Sequence, residues 1–302
     1  MKKLSFIFAI LIVSVCAFSL NVSTSILPYY FIVQEILGDK GNVKLIIPSG
    51  KSPHTYSLSP KEVAALYDSD VLVLNGLGLE IFISKLEGNL KGENVNILYG
   101  YEYIPKDELI TGSHHEEEIT QQDTEISHND FEYDPHIWLD SYLVYEYIIP
   151  GLKEDFSKMD PSNSEYYERN ADNLIKRLIL LDEYMKEKAK EIQGAIFTAH
   201  NSFIYFSKRY NIQIAGVIES VPGVTPTPKE LVELSEIAKN YNVKAIFNEP
   251  QLSDKAVNTI AQSLNLKVGI LDPLGGTESI FDLESLYIYN LFEIIRVTND
   301  EK

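Results

Sequence analysis

The sequence is short of the residues that several kinds of site require. Cys16 is the only cysteine among 302 residues, so the chain can form neither an internal disulfide nor a thiolate metal cluster. Its 26 basic side chains stand against 44 acidic ones, a formal charge of −18, which argues against nucleic acid or an anionic membrane surface as the partner. A metal site in any part of the chain other than Cys16 must therefore use nitrogen and oxygen ligands.

The motifs of several enzyme and repeat classes are also missing. The chain has no HExxH or paired CxxC motif, no Walker loop, no GxSxG elbow and no repeat with a period of 20–50 residues. The segment "NGLGLE" (75–80) holds Gly76 and Gly78, but Ile81 stands where a dinucleotide fingerprint needs a third glycine. These absences argue against a solenoid, a nucleotide-binding loop and the common hydrolase sites.

The N-terminus carries an apolar run that is too short to cross a membrane. The run from Leu4 to Val15 follows two lysines, whereas a spanning helix needs about 20 apolar residues. This pattern is typical of a secretory signal peptide over residues 1–19, and it predicts an exported, periplasmic protein. Cys16 leaves open a lipid-modified N-terminus at the cell surface, and an uncleaved buried segment is a further alternative.

Apolar runs alternate with amphipathic segments in both halves of the chain. The helices predicted between the runs include 59–69, 227–241 and 253–265, and Thr227 with Glu230 forms a capping box. The runs are rich in β-branched and aliphatic residues, which is typical of strands in a parallel sheet covered on both faces. The predicted strands are 42–48, 70–76, 194–200, 212–218, 243–249 and 266–273. The pattern indicates an α/β fold with two lobes, each a mostly parallel sheet flanked by helices.

Residues 161–193 predict a long helix between the two halves. Apolar residues recur at helical spacing and no glycine or proline interrupts the segment after Pro161. A helix of about 30 residues would be about 45 Å long and would connect the lobes rigidly. We therefore expect lobes over 20–160 and 194–302, although an ordinary surface helix within one domain fits the same pattern.

Three of the six histidines follow predicted strands or stand before a predicted helix. His54 and His136 belong to the first half, whereas His200 and Asp272 belong to the second. Because ligands bind outside the carboxyl ends of parallel strands, these four groups could converge on a cleft between the lobes. Three imidazoles and a carboxylate suit Zn²⁺. Each histidine taken alone fits a hydrogen-bonded structural role better than a ligand role, and Asp272 fits a turn cap before Pro273 equally well. Only the joint pattern favours the metal site.

The other three histidines lie in an acidic stretch, residues 111–134. His114, His115 and His128 stand among eight acidic and few apolar residues, which predicts a mobile loop. The loop is either a spacer or an auxiliary metal site.

Four segments resemble the substrate-binding proteins of zinc and manganese ABC transporters, the ZnuA/TroA-like family. They are "PHTYSLSP" (53–60), "DPHIWLD" (134–140), "TAHNSFIYF" (198–206) and "ILDPLGG" (270–276), which supply His54, His136, His200 and Asp272 respectively. The resemblance runs from about residue 20 to the end of the chain. It implies two lobes joined by a long rigid helix, capture of a metal ion and its delivery to a membrane permease, without catalysis. A monomer is expected.

The family resemblance does not say which ion is bound, so the identity of the ion must be inferred from the ligand residues. Manganese members commonly carry a carboxylate at the position of His200, so the imidazole favours Zn²⁺ over Mn²⁺. Asp134 and Glu219 are candidates to orient the imidazoles from outside the coordination sphere. A zinc hydrolase with Glu249 as general base and a surface adhesin are the competing functions.

Overall fold

The computed structural model describes residues 19–112, 132–218 and 227–299. The predicted signal peptide up to Phe18 and most of the 111–134 loop, with His114, His115 and His128, lie outside this range, as does Glu219. In the described part, no helix is both long and apolar enough to cross a membrane.

The described residues form two four-stranded sheets whose neighbouring strands all pair in parallel. The first sheet has the order β2-β1-β3-β4, and its strands are β1 (Leu20–Thr24), β2 (Gly41–Leu45), β3 (Val71–Leu74) and β4 (Asn96–Tyr99). The second sheet has the order β6-β5-β7-β8, and its strands are β5 (Ala195–Thr198), β6 (Ile214–Val217), β7 (Val243–Asn248) and β8 (Lys267–Ile270). The prediction of two parallel α/β lobes is therefore confirmed.

Helices connect the strands and cover the sheets. In the first half they are α1 (Leu27–Leu37), α2 (Pro60–Tyr67), α3 (Glu87–Gly92), α4 (Ser141–Leu143) and α5 (Ile149–Met159), with a π-helical segment, Val144–Ile148, joining the last two. Then come α6 (Ser164–Ala189), α7 (Ile204–Tyr210), α8 (Pro228–Asn240), α9 (Lys255–Leu264) and α10 (Leu283–Thr298).

Local sequence signals explain where several of these elements begin. The predicted capping box is present at the start of α8, where the Thr227 side chain accepts from the amide of Glu230 and the Glu230 carboxylate accepts in return. Ser59 and Glu62 form the same arrangement at α2. The central strands β3 and β5 are buried along their whole length, as expected for continuous apolar runs in a sheet covered on both faces.

Helix α6 is the long connector that the sequence predicts. It spans 26 residues, or about 39 Å, and a 3₁₀ turn at Pro161–Asn163 precedes it. Its buried stripe includes Tyr167, Leu174 and Leu178, at helical spacing. It packs against α1 and α5 of the first half and against α7 and α10 of the second, so the connecting helix also forms part of the packed interior of both halves.

The two halves share an interior. One apolar core runs from the first sheet across α6 to one face of the second sheet, and a smaller separate cluster fills the space between the second sheet, α8 and α9. Trp138 of the first half donates through Nε1 to the Pro273 carbonyl at 2.7 Å, and Tyr287 of the second donates to the Trp138 carbonyl at 2.7 Å. Such buried contacts oppose a wide hinge opening, because opening would expose apolar surface and unpair polar groups.

Candidate metal centre

His54 is carried by the loop that follows β2. The amides of Ile46 and Ile47 continue the parallel pairing beyond the strand, since they donate to the carbonyls of Thr24 and Ser25. The chain then turns through residues 48–55 and brings His54 over the carboxyl edge of the first sheet. The side chain is only partly buried, so this imidazole borders the solvent-facing mouth of the site.

His136 stands on a turn that is fixed from several sides. The amide of Asp134 donates to the Ile110 carbonyl, and the Asn75 side chain donates to the Pro135 carbonyl at 2.8 Å. Directly after His136, a 3₁₀ turn (Ile137–Leu139) buries Trp138 completely, with the indole ring centroid 5.3 Å from that of the imidazole. The ring is thus held by packing beneath it and by backbone hydrogen bonds on either side.

The segment "NGLGLE" (75–80), which does not match a dinucleotide fingerprint, supports the turn that carries His136. The buried carboxylate of Glu80 accepts hydrogen bonds from the amides of Asn75 and Gly76 at 2.8 and 3.0 Å, and burial raises the pKa of Glu80. Tyr29 donates to the side-chain oxygen Oδ1 of Asn75, which leaves Nδ2 of the same side chain directed at the Pro135 carbonyl. "NGLGLE" is therefore a scaffold for the His136 turn, a role that its glycine spacing did not reveal.

His200 follows β5 by two residues, at the matching edge of the second sheet. The amide of Ala199 donates to the Phe247 carbonyl and so extends the pairing of β5 with β7 by one residue. His200 Nδ1 lies 3.3 Å from Oε1 and 3.4 Å from Oε2 of Glu249, which also accepts from the Ser202 hydroxyl. Glu249 comes directly after β7, so the two neighbouring strand ends supply the imidazole and the carboxylate that orients it.

The three histidines converge, with one nitrogen of each lying within 4.8 Å of those of the other two. Nε2 of His54 and Nε2 of His136 are 3.3 Å apart. Two nitrogens bound tetrahedrally to zinc at about 2.05 Å would lie roughly 3.3 Å apart, so this spacing fits Zn²⁺. The ring centroids are 4.9–5.4 Å from each other. The donor set and its dimensions are those of a transition-metal site.

Carboxylates set the tautomers of two of these imidazoles. Asp134 Oδ1 lies 2.9 Å from Nδ1 of His136, and Glu249 contacts Nδ1 of His200. A neutral imidazole that donates from Nδ1 carries its lone pair on Nε2, the nitrogen that a metal ion requires. Asp134 contacts His136, and its orienting role stays a prediction. The contact of Glu249 with His200 was missed, although its place at the end of a strand next to β5 could have indicated it.

Asp272 lies outside the histidine group. Its fully buried carboxylate accepts five hydrogen bonds, from the Gln251 amide, the Thr277 hydroxyl and the backbone amides of Leu274, Gly275 and Thr277. This is the turn-cap arrangement that the sequence left open as the alternative role. Its assignment as the fourth ligand stays a prediction.

A pocket with about 310 Å³ of empty space, part of it open to solvent, surrounds the three imidazoles. Residues of both halves line it, including Pro53 and Trp138 from the first and Gln251 and Pro273 from the second. The pocket therefore lies at the junction of the two lobes.

Comparison with known proteins gives a consistent result. Residues 22–294 match the family model "ZnuA: Zinc-uptake complex component A periplasmic". The high-affinity zinc uptake system protein ZnuA of Bacillus subtilis (strain 168) is 30% identical over 258 residues, which is 85% of this chain and 79% of that protein. The zinc-binding lipoprotein AdcA of Streptococcus pneumoniae serotype 4 is 28% identical over 91% of this chain, which spans just over half (56%) of that longer protein.

Comparison with solved structures points to the same family. A crystal structure of a ZnuA deletion mutant with zinc bound superposes with a TM-score of 0.77 and 25% identity, covering 94% of this chain and 100% of that one.

Proposed function

Because this chain belongs to the family of periplasmic zinc-uptake component A proteins (ZnuA), we propose that it captures Zn²⁺ in the cleft between its lobes and delivers the ion to a membrane permease. Proteins of this family are the metal-binding components of ABC importers and are not enzymes. The hydrolase alternative, with Glu249 as general base, is therefore set aside, and the orienting contact with His200 gives that carboxylate another role.

The convergence of His54, His136 and His200 carries the proposal. Three nitrogens within 4.8 Å of one another, two of them on imidazoles held by carboxylates, form a preorganised nitrogen site. Imidazole is a borderline donor, which favours Zn²⁺ over the harder Mn²⁺. We assign these three residues as zinc ligands, and Asp134 and Glu249 as the groups that orient them. Asp272 is the candidate fourth ligand, and it can bind the ion strongly only when a hydrogen bond to its carboxylate is released.

The proposal also assigns a role to each lobe and to the connecting helix. Residues 20–160 and 194–302 would each present one wall of the cleft, and α6 would hold the walls at a fixed separation. The B. subtilis relative is a zinc uptake protein and the S. pneumoniae relative is a zinc-binding lipoprotein, which supports export of this chain to the periplasm or the cell surface. Lipidation at Cys16 would decide between these two locations.

Titration of the metal-free protein with Zn²⁺ and Mn²⁺ by calorimetry, together with elemental analysis of the purified protein, tests the assignment. We expect one tight Zn²⁺ site and weaker binding of Mn²⁺. Changing His54, His136 or His200 to Ala should each weaken Zn²⁺ binding by at least about tenfold, because a residue that binds the ion directly matters at least as much as the groups that orient it, whose loss costs about 10–100-fold.

The matched control is the triple change of His114, His115 and His128 to Ala. It also removes three imidazoles, but from the acidic loop, and it should leave the affinity of the tight site unchanged. Unaltered Zn²⁺ affinity in all three single variants would overturn the proposed function. A second Zn²⁺ equivalent that disappears in the triple variant would identify the loop as an auxiliary site.

A further inference from the structure

The carboxylate of Asp272 is saturated with hydrogen bonds. A carboxylate offers about four lone-pair sites, whereas five donors approach this one at 2.7–3.1 Å. Three of those donors, from Gln251, Leu274 and Gly275, converge on Oδ1. A metal ion could bind Oδ1 strongly only if one of them withdrew.

Gln251 is the donor on Oδ1 that can withdraw. The amides of Leu274 and Gly275 belong to the backbone of the turn that Asp272 caps, so they cannot leave without unfolding it. Gln251 reaches Oδ1 with a side chain, at 3.0 Å, and the same residue lines the histidine pocket. It therefore contacts the carboxylate and also borders the pocket of the three imidazoles.

The polar end of Gln251 is weakly anchored. Its Nε2 must face the carboxylate, because a carboxylate only accepts, so the amide orientation is determined. Its Oε1 is buried and has no hydrogen-bond partner among the residues that the structure describes. Since buried carbonyl oxygens are normally paired, this conformation is less favourable than one in which Oε1 finds a donor.

From these contacts we propose that Gln251 is a reversible cap on Asp272 Oδ1 and thereby determines the metal selectivity of the site. While Nε2 holds Oδ1, the carboxylate is a poor ligand and the site behaves as a three-nitrogen site, which favours Zn²⁺. When the cap is removed, a harder oxygen ligand becomes available, and this helps Mn²⁺ more than Zn²⁺. The inference rests on the proposed function, because it requires that the histidines bind the ion.

The test is the change Gln251→Met, which keeps the length of the side chain and removes both the Nε2 donor and the Oε1 acceptor of the amide. We expect the ratio of the Mn²⁺ to the Zn²⁺ dissociation constant to fall by about tenfold, the scale of effects from groups just outside a coordination sphere. Gln251→Ala should give the same direction and serves if the Met variant folds poorly. Gln34→Met is the matched control, since it removes a glutamine whose single hydrogen bond, to the Gly38 carbonyl, lies far from the cleft.

A double-mutant cycle with Asp272→Asn identifies the route of the effect. If Gln251 acts through the carboxylate, the change in selectivity should disappear when Asp272 is already Asn. The visible spectrum of bound Co²⁺ provides a readout other than affinity, and it should change in Gln251→Met as oxygen enters the coordination sphere. Circular dichroism verifies that each variant is folded.

Three results would overturn the inference. They are an unchanged selectivity ratio in both Gln251 variants, an equal shift in Gln34→Met, or a shift that persists with Asn at position 272. In all three cases wild-type binding that depends on the histidines would leave the proposed function standing. Loss of that dependence would remove the proposed function and this inference together.

Discussion

Trp138 connects the turn that carries His136, in the first half, to the second half. The side chain is fully buried, its Nε1 donates to the Pro273 carbonyl at 2.7 Å, and its ring packs 5.3 Å from the imidazole of His136. Trp138→Phe keeps an aromatic ring but removes the donor and part of the buried volume. The change should therefore weaken both the junction of the lobes and the support beneath His136.

The magnitude follows from these two losses. Leaving a buried acceptor without its partner costs about 1–3 kcal/mol. Replacing indole by phenyl leaves a cavity, and since complete truncation of a buried Trp costs about 3–5 kcal/mol, this smaller change should cost roughly 1–2 kcal/mol. We expect a total loss of about 2–5 kcal/mol, a substantial part of the roughly 5–15 kcal/mol that typically stabilises a domain.

Urea unfolding followed by far-ultraviolet circular dichroism measures this loss, because the variant retains no tryptophan for fluorescence. The matched control is Tyr167→Phe, in α6 and away from the cleft. This change removes a buried hydroxyl that donates to Asp160 at 2.7 Å. The control should lower stability by about 1 kcal/mol and leave Zn²⁺ affinity unchanged. Trp138→Phe should lower Zn²⁺ affinity by about tenfold, because the imidazole loses its packing surface.

Two outcomes would refute this reasoning. A stability loss below about 1 kcal/mol would show that neither the hydrogen bond nor the packing of the indole matters at the junction. A clear loss of stability without any change in Zn²⁺ affinity would show that the ligand turn is held independently of Trp138.

Three further changes test other parts of the structure. Glu249→Gln should weaken Zn²⁺ binding by about 10–100-fold in calorimetry, because His200 loses a charged acceptor, and unchanged affinity would remove Glu249 from the site. Burial raises the pKa of Asp140 from 3.8 to about 6. The folded state thus binds this proton more tightly than the unfolded state does, so the free energy of unfolding falls as pH rises from about 4 to 6. Asp140→Asn should recover up to about 3 kcal/mol of that free energy at pH 7.5 but little at pH 4, as measured by urea unfolding of both proteins. An equal effect at both pH values would contradict this. Gly100→Ala would place a Cβ 1.9 Å from the buried Tyr29 hydroxyl, so we expect a loss of roughly 1–3 kcal/mol in thermal unfolding, and a wild-type melting curve would refute the packing argument.

Local signals predicted much of the secondary structure because they act over a few residues. The continuous apolar run at 70–76 predicted a central strand, and β3 is buried along its whole length. The capping box at Thr227 placed the start of α8 correctly. By contrast, β1 and β4 were missed, since β1 begins directly after the predicted signal peptide and "NILY" is too short to give a clear period.

The candidate site shows the same division between local and long-range information. Strand-end position and motif resemblance selected His54, His136 and His200, which the structure brings together. The same reasoning could not show that the carboxylate of Asp272 accepts five hydrogen bonds within its own turn. Nor did it reveal the contact between Glu249 and His200, because that contact depends on the pairing of β5 with β7.

The sequence by itself determined the class of fold, the connecting helix, the absence of thiolate ligands and the residue types that could bind a metal. These properties depend on composition, on period and on the neighbours of each residue along the chain. Only the tertiary structure decided which nitrogens meet, since Nε2 of His54 and Nε2 of His136 are 82 residues apart in the chain and 3.3 Å apart in space. It also decided that Gln251 both contacts Asp272 and lines the histidine pocket, because that arrangement depends on how the ends of two neighbouring strands are aligned.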